Sequence, residues 1–250
     1  MHSPPPACHR AHEVPLSLDA ANPIYMPTPL TFTIADIPVT LQWHPPISGV
    51  SAPAAFQPFL STGRSDIRLE LSTGEPQRGE EVPVFDSAPI WSLYRMRDGL
   101  SFHLFDSYPE LKRTLFIPDE GGSPRLSFHA ADRDPFVGPS LELLMITHFA
   151  RRDGVILHGC GISSDGRGVV FAGESGAGKS TLSRLWAQKE GIEILSDDRV
   201  IVRRQNGSFR LYGTPWHGDE AFADFGGVEL SRIFFIRHGQ GNDIRKLSAA

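Results

Sequence analysis

From Leu30 onward the first half of the chain alternates apolar and polar positions in short runs, LTFTIADIPVTLQW, IRLELS, APIWSLYRM, LSFHLF and RTLFI, separated by clusters of Pro, Gly, Asp and Ser. Alternation with a period of two puts successive side chains on opposite faces, so these runs predict short strands joined by tight turns. Residues 31–134 therefore read as a small, mostly antiparallel β domain. The pattern changes at VGPSLELLMITHFARRDG, where Leu141, Leu143, Leu144, Ile146 and Phe149 recur at roughly helical spacing and Gly154 stands where a helix would stop. Beyond it come a strand, GVILHGCGI, a turn at DGRG, a second strand, GVVFAG, and a glycine-rich loop. The loop opens a helix, KSTLSRLWAQKEG, with Leu182, Leu185 and Trp186 on one face and Lys189 and Gly191 at its end. A strand, IEIL, then runs into SDDRVIVRR, Asn206-Gly207 predicts a two-residue hairpin turn into SFRLYG, and LSRIFFIRHG forms a last β segment. Strands and helices together read as an α/β (α+β) fold, and hairpins around one strand, loop and helix depart from the simple alternation expected of a doubly wound sheet.

Composition narrows the class. The chain has 250 residues, ordinary globular hydrophobicity, a net charge of -5 and a pI near 6.0, with no basic run that would hold nucleic acid or an acidic membrane surface. Two cysteines, Cys8 and Cys160, lack metal-ligand spacing and imply neither a disulfide framework nor a zinc site, which fits a reducing cytoplasm. The first thirty residues carry seven prolines, predicting a loosely ordered arm over 1–30 and no signal peptide. No apolar run reaches the length of a membrane span, so a soluble cytoplasmic protein is expected, without a nucleic-acid or membrane partner. A homo-oligomer is left open. The third segment, 135–250, is where the chemistry concentrates.

FAGESGAGKST contains Gly173, Gly178, Lys179 and Ser180 in the spacing G-x-x-x-x-G-K-S, a phosphate-binding P-loop when strand precedes and helix follows. Glycines at 173, 176 and 178 would allow positive φ and turn main-chain amides inward, where a Cβ would obstruct a phosphate oxygen. Gly173, Glu174, Ser175, Gly176, Ala177, Gly178, Lys179, Ser180 and Thr181 are the predicted nucleotide-binding residues. Lys179 can reach the β and γ phosphates, and the Ser180 hydroxyl can ligate Mg²⁺. Phosphoryl transfer also needs a secured metal and a group to take the acceptor's proton. Asp197 and Asp198, following IEIL, offer one carboxylate for each task. Neighbouring side chains on a strand diverge, so both can face the phosphates only if the strand ends at Ser196. His158, on the strand before the loop, is a candidate to orient the γ phosphate, with a structural histidine as the alternative. His217 and Asp219, in GTPWHGDEAF, are candidates to line the site, and Arg199, Arg232 and Arg237 can each neutralise phosphate charge. Cys160 reads as a small buried hydrophobe.

Taken in order, ILHGCGI, GRGVVFAGESGAGKST, ILSDDRVIV and GTPWHGD resemble the HPr kinase/phosphorylase family, in particular its divergent kinase-like relatives found beside bacterial peptide-modification genes, over about residues 135–245. The resemblance implies a P-loop core of mixed sheet, like that of ATP-dependent phosphoenolpyruvate carboxykinase and in keeping with the hairpins, with ATP as donor, a serine hydroxyl of a peptide or small protein as acceptor, and Mg²⁺ as metal. It places His158 near the phosphates, Lys179 and Ser180 in the loop, Asp197 as catalytic base and Asp198 near the metal. Family members acting on HPr read Ser-Glu-Thr after the loop lysine, whereas this chain has Ser180-Thr181-Leu182, which points away from HPr itself and from the reverse phosphorylase reaction. Two other readings stand beside a serine kinase: a small-molecule kinase or carboxykinase-like enzyme, and a regulatory or scaffold module that holds ATP without turning it over.

Overall fold

A computed structural model describes residues 25–26, 29–46, 50–74, 82–129, 133–218, 223–239, 241 and 243–247. It is a mixed α/β structure of two mixed sheets, rich in strand and poor in helix. The proline-rich arm expected over 1–30 lies outside the described residues except at Tyr25–Met26 and Pro29–Leu30. A short ladder pairs β1 (Tyr25–Met26) with β4 (Val50–Ser51).

The first sheet contains β2 (Leu30–Ile34), β3 (Ile37–His44), β5 (Ile67–Thr73), β6 (Phe85–Ser87), β7 (Trp91–Met96), β8 (Gly99–Ser107), β9 (Glu110–Pro118) and β10 (Arg125–Phe128). Their order across the sheet is β2-β3-β5-β10-β9-β8-β7-β6. Only β3 with β5 and β5 with β10 run parallel, so this half is mostly antiparallel, as the alternation predicts. The period of two is preserved in the burial: Ile67, Leu69 and Leu71 of β5 and Leu111, Leu115 and Ile117 of β9 point into the core.

α1 (Ser140–Ala150) joins the two sheets and buries almost its whole circumference, with Leu141, Leu143, Leu144, Met145, Thr147 and Phe149 inside. Ile146, expected on the buried stripe, is exposed, and Met145 takes the inner position. The helix also stops differently from the sequence expectation. Asp153 adopts the left-handed conformation (φ 53°), and Gly154 is already the first residue of the next strand, where a Cβ would come within 3.0 Å of Phe149 Cβ. Asp tolerates positive φ better than most residues, so the glycine is released for close packing instead.

The second sheet contains β11 (Gly154–Ser164), β12 (Arg167–Ala172), β13 (Ile192–Ser196), β14 (Arg199–Gln205), β15 (Ser208–Tyr212) and β16 (Gly227–Phe235). β11 pairs with β14 over 154–158 and with β12 over 159–164. β12 then pairs with β16, β16 with β15 and β15 with β14, so five strands close on themselves in a ring. β13 adds to the outer half of β11. Asn206 and Gly207 both have positive φ, 49° and 85°, the geometry of the predicted hairpin turn.

Inside the ring, Val170, Val200, Val202 and Leu211 pack with Leu157, Val228 and Leu230. A separate core runs from the first sheet through α1 to Ile201 and Tyr212. Polar contacts tie the same seam: Tyr212 Oη donates to Asp36 Oδ2, and Gln205 Nε2 donates to that oxygen at 3.3 Å. Among the described residues no helix is long and apolar enough to cross a membrane.

Candidate functional site

β12 ends at Ala172, and the chain turns through 173–178 into α2 (Lys179–Ala187). Gly176 and Gly178 hold φ of 81° and 101°, conformations a side chain would strain, and the space a Cβ would enter at either is open. Gly173 corrects the expectation of positive φ at all three glycines. It is needed for close approach, since a Cβ there would stand 2.6 Å from Ile236 O.

Lys179 is buried, and its ammonium donates to Gly173 O and Glu174 O, both at 2.9 Å. The lysine therefore braces the loop that it closes. α2 packs through Lys179, Leu182, Ser183 and Trp186. Leu185, expected on that face, is exposed instead, because the inner line follows positions 179, 182, 183 and 186.

β13 ends at Ser196 and β14 begins at Arg199, so Asp197 and Asp198 interrupt the strand. The break is the condition under which neighbouring carboxylates can share a side, and both line one cavity of about 420 Å³. His158, Ser175, Gly176, Gly178, Lys179, Ser180, Thr181 and Gly218 complete its wall. Asp197 is buried and accepts the Gly218 N–H at 2.8 Å. Asp198 is half-buried, accepts from Arg199 Nη1 at 2.7 Å, and faces His158 Nε2 at 3.4 Å. The two carboxylates thus have different settings, one held by a main-chain amide and one by cationic and imidazole groups.

His158 occupies the point where β11 exchanges one partner strand for another, and Gly159 N donates to Asp198 O at 2.9 Å. Burial lowers the imidazole pKa below its usual value, Lys179 and Arg199 lower it further, and Asp198 and Glu142 oppose them. The neutral ring is favoured near pH 7. Cys160, two residues on, is fully buried with its thiol pushed up to about 12 by burial and by Asp197, so it is the inert hydrophobe expected.

Several predicted site residues lie off the cavity wall. Arg199 turns to Glu142, Asp198 and His158, and His217 Nδ1 bonds Gly218 O at 2.9 Å. Arg232 and Arg237 are not on the wall, and Asp219 lies outside the described residues. Gly173, Glu174 and Ala177 shape the loop without lining the cavity.

Gly218 was not singled out in the sequence, although it adjoins His217. A Cβ there would meet Asp197 Oδ2 at 2.8 Å, so only glycine lets the main chain grip this carboxylate. Its loop is set from two sides: Thr214 Oγ1 donates to Arg199 O of β14 at 2.7 Å, and the Trp216 indole meets Phe56, from the first half of the chain, at 6.4 Å. Among the described residues no group of three or more His, Cys, Asp or Glu is arranged to hold a metal unaided. No protein-family model matches the chain, and no curated protein matches it.

Proposed function

We propose that the chain is an ATP-dependent kinase that phosphorylates a serine hydroxyl of a peptide or small protein, on a P-loop core of the HPr kinase and phosphoenolpyruvate carboxykinase type. One observation carries the reading: a P-loop with its lysine and serine shares a single cavity wall with two carboxylates released by a strand break.

The residues present suit a magnesium–triphosphate. Mg²⁺ keeps several waters and takes phosphate oxygens with one or two protein groups, so Ser180 and Asp198 would be sufficient without a protein cage. Bound there, the metal would neutralise charge on the phosphate oxygens. Main-chain amides around Gly176 and Gly178, with the N-terminus of α2, supply donors to the phosphates. Lys179 exchanges its loop carbonyls for phosphate oxygens.

Asp197 accepts the serine proton as the serine oxygen forms its bond to the γ phosphorus. The bond from that phosphorus to the bridging oxygen breaks, and ADP leaves with the electron pair. Gly218 N–H holds Asp197 Oδ1 and so fixes how this carboxylate lies on the cavity wall. His158, neutral and protonated on one nitrogen, can donate to the transferring group.

Calorimetric titration of ATP with Mg²⁺ is expected to show saturable binding that Lys179→Ala weakens by at least about thirtyfold, a loss of about 2 kcal/mol. Labelled ATP should then transfer its γ phosphate to a serine peptide. Absence of binding to adenine and guanine triphosphates overturns the proposal. Tight binding without transfer across a broad acceptor panel replaces the kinase by a nucleotide-holding module.

A further inference from the structure

We propose that Glu142, in the first turn of α1, is a positioning residue that acts through Arg199 to hold His158 and Asp198 as a fixed pair on the cavity wall. Arg199 Nε donates to Glu142 Oε1 at 2.8 Å, while Arg199 Nη1 donates to Asp198 Oδ2 at 2.7 Å and to His158 Nδ1 at 2.9 Å. A guanidinium has donors and no acceptor, so His158 Nδ1 must be the acceptor and carry no proton. The proton of the neutral ring therefore sits on Nε2, 3.4 Å from Asp198 Oδ1. One planar group thus fixes which imidazole nitrogen can donate and how the adjacent carboxylate lies.

A glutamate in the first turn of a helix is ordinarily explained by the helix dipole. That account requires only a negative charge near the end. Here the carboxylate reaches across to a residue 57 positions away, and the pair is mostly buried, with side-chain exposures of 28% for Arg199 and 20% for Glu142. Leu141, Leu143 and Leu144 lock α1 into the core, so the Glu142 carboxylate is anchored to a rigid element. Arg199 immediately follows Asp198 and has a long side chain. Without that second anchor it can stay on Asp198 while leaving His158.

The test reads the imidazole directly. In ¹⁵N-histidine-labelled protein the His158 Nδ1 resonance reports whether that nitrogen accepts a hydrogen bond. Glu142→Ala is expected to move Nδ1 to the position of a free acceptor, and Glu142→Gln, which keeps an acceptor oxygen, to restore it. An unmoved Nδ1 in folded Glu142→Ala protein overturns the proposal.

The kinetic arm rests on the phosphotransfer reading: kcat should fall about ten- to a hundredfold in Glu142→Ala, with KM for ATP unchanged and kcat rescued in Glu142→Gln. A rise in KM with kcat intact counts against the positioning role. The resonance test does not depend on turnover, so failure of the kinase reading and failure of the clamp are separable.

Discussion

The eight-stranded sheet and the ring of strands beside it exclude water by opposite means. The sheet does it with bulk: Trp43 stacks on Phe128 with ring centroids 5.1 Å apart, Phe32 meets Phe56 edge-on at 5.4 Å, and Leu69, Leu71 and Leu115 are completely buried. The ring does it by bringing main chain close to side chain. A Cβ on Gly161 would stand 2.7 Å from Val200 Cγ1, and one on Gly168 would stand 2.9 Å from Val228 Cγ2. A sheet filled by large side chains can be long and regular. A ring this tight packs main chain directly against side chain, and the groups that line the cavity collect at its rim, where β11 changes partners and the strand from β13 to β14 breaks.

The largest expected effect is at that rim. Asp197→Asn keeps an oxygen for the Gly218 amide and removes the proposed base, so on the phosphotransfer reading transfer should fall by about 10²- to 10⁴-fold while the thermal unfolding midpoint stays near wild type. Transfer at the wild-type rate would remove Asp197 from the chemistry. The corresponding change in the sheet acts on folding alone. Phe32→Ala should cost about 3–5 kcal/mol in chemical denaturation, because it opens a cavity against Phe56 and Phe136 without altering nucleotide binding by the folded protein.

The ring is expected to respond to the reverse kind of substitution. Gly161→Ala adds only a methyl group, yet Val200 must shift to admit it, and overpacking of this type costs about 1–3 kcal/mol. The same small addition in open space, as at the exposed Gly74 just past the end of β5, provides the control. Equal stabilities for the two alanine variants would erase the contrast between the regions.

The same contrast explains what could be read in the sequence. β5 and β9 were visible because alternation survives wherever one sheet face meets a large core. The glycine-rich loop was visible because its geometry is local, whereas the strand break at Asp197-Asp198 entered only as the condition for both carboxylates to share a side. Ring closure was not visible: glycines at 159, 161 and 168 look like turn or loop residues until the opposing valines and leucine are known. Glu142 and Gly218 were missed because each reaches the site through a partner distant in sequence, Arg199 in one case and Asp197 in the other. His217 and Arg199 were placed by residue type, but the fold spends their polar atoms on residues of the cavity wall, Gly218 in one case and His158 and Asp198 in the other, and leaves neither side chain on the wall itself.

The smallest effect tests the seam between the two regions. His148, in the last turn of α1, has its pKa lowered from 6.5 to about 4, first by burial and then by Arg152 and Arg203, with Asp66 opposing and Arg151 adding to the decrease. Its Nε2 is buried without a hydrogen-bond partner. The folded-state value lies below the unfolded one, so between about pH 6.5 and 4 the unfolded chain takes up a proton that the native protein refuses. Native stability is therefore fully present above that window and declines as pH falls through it. Because the ring is partly solvated, screening keeps the effect modest. His158 is shifted in the same direction, so the measurement must be a difference. Urea midpoints at pH 7 and pH 5 should separate by less in His148→Gln than in wild type. Parallel falls in the two proteins would show that this histidine does not couple protonation to the packing of α1 against the ring.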